Sequence, residues 1–342
     1  MFDQAQIEQI KLIRDYISTA HRAVVTCHMS PDGDAMGSSL ALCRVLNNMG
    51  VETRVITPDE PNHNLLILPG TDNVIWYTRF QPMVEKCLSK ADIIFCLDYN
   101  DLKRVDRLED SIRKSSAVKI MIDHHLYPNL DSVSALISCP ERSSTCSLLY
   151  SVLSEAGMSE YVDEDVATCI LAGMMTDTNN FSHNANHPED YLIVSHLVSQ
   201  GADKNKLYNQ LFNTFSESCL RLNGYALSHK MEVYNQYHAA LIWLTRDELN
   251  EYKYKKGDTE GLVNRPLSIP GVIYSAYLRE ESDFVKVSMR SVGDFPVNIV
   301  CEKYFGGGGH LNAAGGEYHG TLNQAVDLFK SLLSVNMQYI EK

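Results

Sequence analysis

The sequence predicts an α/β chain. A parallel sheet with helices on both faces forms an N-terminal domain, and a helical linker joins it to a smaller α+β domain. Three observations predict this. In the first half of the chain, short apolar runs alternate with stretches of helical spacing. From about Ser144 to Lys230 the spacing is helical almost throughout. After Lys230 strand-like runs return.

The elements follow in order. Ile7, Ile10, Ile13 and Ile17 mark a helix over 4–20. Residues 22–27 read as a strand, 34–48 as a helix stopped by Gly50, and 51–57, 92–97 and 117–122 as further strands. Helical stretches intervene over 81–89 and 106–114. In the linker, Leu148, Leu149, Val152 and Leu153 share a face, as do Leu207, Leu211 and Phe212. Beyond it, strands are expected over 237–244, 271–278 and 284–289, the last two joined by a polar turn at 279–283, with a final helix over 322–335. The domains are placed at 1–230 and 231–342.

Length and composition narrow the function. At 342 residues the chain has room for two domains, and 44% apolar with 21% charged residues is ordinary for a globular protein. No apolar run approaches the roughly 20 residues of a membrane span. The N-terminus lacks the basic start and apolar core of a signal peptide, so a cytoplasmic location is expected. The nine cysteines include no C-x-x-C pair and read as reduced, buried small hydrophobes. A net charge of −13 without a basic stripe argues against long duplex nucleic acid and for small nucleotides or short single strands. The short basic run at 253–256 reads as a solvated helix end or linker.

The chemistry is concentrated where apolar segments end. His28, Asp32 and Asp34 follow the first strand, Asp98 follows the run 92–97, Asp123-His124-His125 follows 117–122, and Asp177 ends an apolar stretch. In an open α/β sheet that rim binds ligands. Asp32-Gly33-Asp34 alone reads as a turn and helix cap, and a His-His pair alone is weak. Four separate segment ends supplying His or Asp serve no folding need, so together they read as a binuclear metal site. Oxygen-rich ligands with some imidazole and no thiolate suit Mn²⁺ first, with Mg²⁺ or Co²⁺ as alternatives. Four aspartates and two divalent cations sum to near neutrality, so a phosphate dianion needs further donors.

A second signal lies at Phe305-Gly306-Gly307-Gly308-Gly309-His310, followed by Ala313-Ala314-Gly315. It lacks the Gly-Lys-Ser/Thr of a P-loop. Consecutive glycines let backbone N–H groups close on an anion, with His310 adding a side-chain donor, so an anion-binding loop is expected. Arg290, at the end of an apolar strand, is a candidate phosphate contact, or else an exposed strand-end arginine.

His28-x-x-Pro31-Asp32-x-Asp34, Asp98, Asp123-His124-His125 and Asp177 resemble the motifs of the DHH phosphoesterase superfamily. That superfamily includes the RecJ exonuclease, family II pyrophosphatases, exopolyphosphatases and nano-RNase/pAp phosphatases. The glycine run resembles the DHHA1 signature G-G-G-H-x-x-A-A-G, and Val287–Ser291 that domain's strand ending in Arg-Ser. The resemblance covers Val24 to Gly316. It implies that His28, Asp32 and Asp98 hold one metal and that Asp34, Asp98, His124 and Asp177 hold the other, with Asp98 bridging. It implies that His125 faces phosphate, that Asp123 orients a histidine, and that Arg290, Ser291, Gly307, Gly308, Gly309 and His310 bind substrate as the second domain closes over the cleft.

Family II pyrophosphatases have a different second domain, RecJ carries an extra OB-fold, and the membrane-bound cyclic-dinucleotide phosphodiesterases carry transmembrane segments. The nano-RNase/pAp phosphatase group fits best. It implies hydrolysis of short RNA to mononucleotides and of 3′-phosphoadenosine 5′-phosphate (pAp) to AMP by a hydroxide held between two cations. The rivals are a c-di-AMP or pApA phosphodiesterase, an exopolyphosphatase, and a non-catalytic nucleotide-binding regulator. A homodimer is compatible with the sequence.

Overall fold

A computed structural model describes residues 2–129, 131 and 133–340. The chain forms two compact units, Met1–Thr214 and Phe215–Lys342. In the first, strands β1 (Arg22–Thr26), β2 (Glu52–Thr57), β3 (Ile75–Trp76), β4 (Ile93–Leu97), β5 (Val118–Asp123) and β6 (Ala135–Ser138) form one sheet in the order β3-β2-β1-β4-β5-β6. Every pairing is parallel. The helices are α1 (Gln4–Thr19), α2 (Gly33–Asn48), α3 (Tyr77–Leu88), α4 (Glu109–Lys114), α5 (Thr145–Glu155), α6 (Glu164–Asp177), α7 (Pro188–Ser199) and α8 (Lys204–Phe212).

Alternation along each strand builds two cores. Val25, Phe95, Leu97, Ile120 and Ile122 face one layer with α1, α2, α5 and α6. Val24, Ile94, Cys96 and Met121 face the other with α3 and α4. Both faces are covered, so β4 (Ile-Ile-Phe-Cys-Leu) is buried at every residue. Strand order reverses between β1 and β4, which opens a crevice at their carboxyl ends. The first ligand candidates stand there.

In the second unit, β7 (Met231–Tyr234), β8 (Ala239–Leu244), β9 (Tyr274–Glu280), β10 (Val285–Ser291), β11 (Gly307–His310) and β12 (Ala313–Tyr318) form a mixed sheet in the order β11-β12-β10-β9-β8-β7. Helices α9 (Glu217–His229), α10 (Arg246–Glu251), α11 (Val297–Tyr304) and α12 (Leu322–Asn336) accompany it. Residues of α11 and α12 pack on one face, around Leu241, Ala276, Val287 and Met289. Leu222 and Ala226 of α9 join Ile242 and Leu244 on the other. Helix α9, which helical continuity assigns to the linker, therefore belongs to the second unit's core. The nine cysteines are free thiols. No helix among the described residues is long and apolar enough to cross a membrane.

Four strands, β3, β6, β7 and β12, escaped the sequence reading. The glycine run corrects it further. Gly307 to His310 form a strand, with Gly307 opposite Gly316 and His310 opposite Ala313. The backbone here is a strand at the edge of the sheet order, not the loop expected. Glycine is needed because the two backbones approach closely. A Cβ on Gly309 would lie 2.5 Å from the Ala313 carbonyl oxygen, and its φ is +144°.

Glycines also set the approach of α2 to α6. A Cβ on Gly37 would lie 2.5 Å from the Cys169 carbonyl oxygen, and one on Gly173 would lie 2.9 Å from Asp34 Oδ1. In an open helix Gly37→Ala would gain about 1 kcal/mol of helix propensity. Here the backbone obstacle should turn that gain into a net loss of about 1–3 kcal/mol, read as a lower denaturant midpoint. A stabilised Gly37→Ala variant would contradict the close packing.

Candidate metal centre

The site is built from segment ends. After β1 the chain turns through Pro31, and Asp32 caps α2: its Oδ1 accepts the N–H groups of Asp34 and Ala35, each at 3.0 Å. Asp34, 1% exposed, caps a different helix. Its two carboxylate oxygens accept the first N–H groups of α5, from Thr145 at 2.6 Å and Cys146 at 2.9 Å. Asp98 directly follows β4 with φ +61°, a conformation few non-glycine residues adopt and one that clusters at functional sites. Asp177 ends α6, and the glycine contacts bring it beside the start of α2.

Both histidines are fixed in the same way. His28 Nδ1 donates to the Met29 carbonyl at 2.8 Å, and His124 Nδ1 donates to the Arg142 carbonyl at 3.2 Å. Each Nε2 thereby meets carboxylates. His28 Nε2 lies 3.4 Å from Asp98 Oδ2 and 3.8 Å from Asp32 Oδ1. His124 Nε2 lies 3.7 Å from Asp98 Oδ1 and 3.5 Å from Asp177 Oδ2. Asp98 presents one oxygen to each imidazole. His28, Asp32 and Asp98 bring ligand atoms within 4.8 Å of one another, and so do Asp34, His124 and Asp177. Charge-assisted hydrogen bonds are shorter, about 2.7–2.9 Å, whereas ligands sharing one cation at about 2.0–2.2 Å lie some 3 Å apart. The donor set fits divalent cation binding.

The electrostatics fit too. Burial and the charges of Asp98 and Asp177 push the Asp34 carboxyl well above the usual range. Burial, with Asp32 and Asp98, does the same to Asp177. Burial opposes the ionisation of Asp98, but its hydrogen bond to His28 and the charges of the three histidines outweigh it and hold that carboxyl low. Burial likewise disfavours charge on His28, yet Asp98 and Asp32 prevail and lift it to about 9. Burial and the Asp34 charge push the adjacent Cys146 thiol up, so it stays protonated and offers no thiolate.

His125 also reaches the cluster, its Nδ1 3.8 Å from Asp98 Oδ1, but its nearest partner is Asp123. Asp123, fully buried, accepts its backbone N–H at 2.9 Å and its Nδ1 at 2.6 Å. The His124 and His125 rings meet edge to face at 4.9 Å.

A model of the DHH family N-terminal domain matches residues 22–174, and a DHHA1 domain model matches 236–335. The crystal structure of an exopolyphosphatase-related protein from Bacteroides fragilis is 43% identical, covers 100% of both chains and superposes with a TM-score of 0.97. The chain belongs to the DHH–DHHA1 phosphoesterase superfamily. A bifunctional oligoribonuclease and PAP phosphatase of Thermus thermophilus is 28% identical over 323 residues, covering 94% of this chain and 92% of its own. The Bacillus subtilis protein of the same description is 26% identical over 307 residues, covering 89% and 91%.

The DHHA1 signature residues lie together on one side of their sheet order. Arg290 and Ser291 end β10, which pairs with β12, which pairs with the glycine strand. Burial weighs against the Arg290 charge, and its Nη1 donates to the Met289 carbonyl at 2.9 Å. The Ser291 hydroxyl donates to the Phe295 carbonyl at 2.7 Å and accepts from Asn312 at 2.9 Å. The Asn312 bond ties the β11–β12 turn, two residues past His310, to the end of β10.

The sequence reading missed Thr145 in the DHH domain. Its hydroxyl donates to Asp98 Oδ1 at 2.9 Å while its N–H holds Asp34. The only hint is Ser143-Ser144-Thr145 before an apolar run, which reads as a helix cap, and Ser144 is indeed the cap of α5.

Cation binding must displace the proton that His28 keeps up to about 9. Low pH therefore favours the proton over the cation. Affinity for Mn²⁺ should climb as pH rises from neutral toward about 9 and level off above it. Calorimetric titration should also record proton release. Affinity independent of pH over that interval would remove His28 from the ligand set.

Proposed function

We propose that the chain is a Mn²⁺-dependent hydrolase that cuts short RNA oligonucleotides to mononucleotides and converts 3′-phosphoadenosine 5′-phosphate to AMP. The observation that carries this is Asp98, which turns one oxygen toward His28 and the other toward His124. In this reading His28, Asp32 and Asp98 hold one cation, and Asp34, Asp98, His124 and Asp177 hold the second. Two such cations would supply a water of lowered pKa and neutralise charge on the attacking and leaving oxygens. Full-length similarity to the oligoribonuclease and PAP phosphatases supports the substrate assignment.

The remaining roles fall to the chain's own groups. Asp123 fixes the His125 ring through its Nδ1, and His125 is assigned to a phosphate oxygen. Arg290 and His310 are assigned to binding the rest of the substrate, with the Gly307–Gly309 backbone.

A substrate panel with Mn²⁺ tests the reading. Short RNA and pAp should be turned over faster than c-di-AMP, pApA, pyrophosphate or polyphosphate. Faster turnover of c-di-AMP or polyphosphate would transfer the assignment to that substrate. Asp98→Asn, which tolerates positive φ and removes only the charge, should lower kcat by more than about 100-fold, the upper end of what losing a group that merely supports a ligand costs.

Substrate grip and metal chemistry separate in a second test. Arg290→Ala and His310→Ala should each weaken binding of short RNA by about one to two orders of magnitude, the 1.5–3 kcal/mol of a charge-assisted hydrogen bond. A small nitrophenyl phosphodiester that reaches only the cations should be hydrolysed almost as before. Equal losses on both substrates would place these residues in folding or metal support.

A further inference from the structure

Thr145 is fully buried at the head of α5 and is absent from the ligand set. It is the first helical residue, so its N–H has no partner within its own helix. That N–H meets Asp34 Oδ2 at 2.6 Å. Its hydroxyl meets Asp98 Oδ1 at 2.9 Å, on the oxygen that faces His124. One residue thus holds the two buried carboxylates assigned to the second cation.

The turn that carries Thr145 is itself braced. Ser144 Oγ accepts the Ser147 N–H at 3.0 Å, and the Ser147 hydroxyl donates to Asp190 Oδ1, on α7, at 2.5 Å. The Thr145 hydroxyl is therefore delivered from a fixed point.

We propose that Thr145 is a positioning residue for the second cation. The inference rests on the two-cation reading above. A carboxylate turns easily about its terminal bond, because that torsion has broad minima. Left to itself, Asp98 is able to turn both oxygens toward His28 and serve a single cation. A donor on Oδ1 fixes the turn that gives each cation one oxygen. It also sets that oxygen against Asp34, whose own orientation is held by the Thr145 N–H. Threonine suits the task because its branched side chain is stiff at χ1.

Thr145→Val keeps the shape, the helix and the N–H, and removes only the hydroxyl. Thr145→Ser keeps the hydroxyl. Stepwise Mn²⁺ titration by calorimetry, with electron paramagnetic resonance to distinguish a spin-coupled pair from isolated ions, reads the effect without any substrate. In Thr145→Val the first affinity should stay within about threefold of wild type, and the second should fall by about 10- to 100-fold, the usual cost of losing a group that orients a ligand. The coupled signal should fade at two equivalents. Thr145→Ser should keep both.

Wild-type affinities and a full coupled signal in Thr145→Val would overturn the inference. So would an equal loss of the second cation in Thr145→Ser and Thr145→Val, because the hydroxyl would then not decide it. If circular dichroism shows Thr145→Val unfolded, Thr145→Ala is read in its place by the same criteria. A wild-type protein that takes up only one Mn²⁺ refutes the two-cation reading itself, and this inference with it.

Discussion

Crowded carboxylates are the constraint on which the first unit depends. Asp34 and Asp98 are almost wholly buried, and Asp32 and Asp177 stand beside them. At 4.8 Å, the limit within which the ligand atoms of each group fall, two like charges would repel by about 3–4 kcal/mol at an effective dielectric constant of 20. No folding requirement gathers acids in this way, so the fold has to offset what function imposes. It does so with two helix starts and three imidazoles. The first turn of α2 bonds Asp32, the first turn of α5 bonds Asp34, and His28, His124 and His125 surround Asp98.

The geometry of those supports follows from ordinary packing rules. The sheet order puts β1 and β4 side by side where the topology reverses, so His28, Asp32 and Asp98 share one crevice. Helix α2 must then lie close enough to α6 for Asp34 to meet Asp177. Side chains at the crossing would hold the helices apart, and Gly37 and Gly173 remove them. The same device recurs in the second unit, where Gly307 and Gly309 let β11 pair closely with β12.

The clustering of the candidate ligand groups was legible because each ionisable residue stands at the end of an apolar segment, a pattern that survives without any structure. Most strands and helices were legible for the same reason, since Ile-Ile-Phe-Cys-Leu and the isoleucines of α1 carry strong periodicity. Other elements gave too little signal. Strand β3 has two residues and takes its conformation from pairing with β2. Strand β11 is mostly glycine, whose intrinsic preference opposes a strand, and only its partner makes it one. Helix α9 was legible as a helix, but its membership of the second unit depends on contacts of Leu222 and Ala226 with β8. Thr145 was invisible in a deeper sense. Its partners lie 111 and 47 residues away, and its neighbours spell an ordinary helix cap.

The supports also leave the acids able to bind. A carboxylate offers roughly four acceptor positions. The two N–H groups from α5 take one on each oxygen of Asp34, and the Thr145 hydroxyl takes one on Asp98 Oδ1. By this count each oxygen keeps an acceptor position with which to bind a cation. Had arginine or lysine filled the same places, the charges would have been neutralised and the cations would have had to compete with an ion pair. Neutral N–H and O–H donors aim the carboxylates without cancelling their charge. Histidine fits the same logic: the proton that Asp98 and Asp32 favour on His28 offsets the cluster, and a divalent ion bound there would displace it. The centre is thus held by groups that orient negative charge and by groups that give up positive charge on demand.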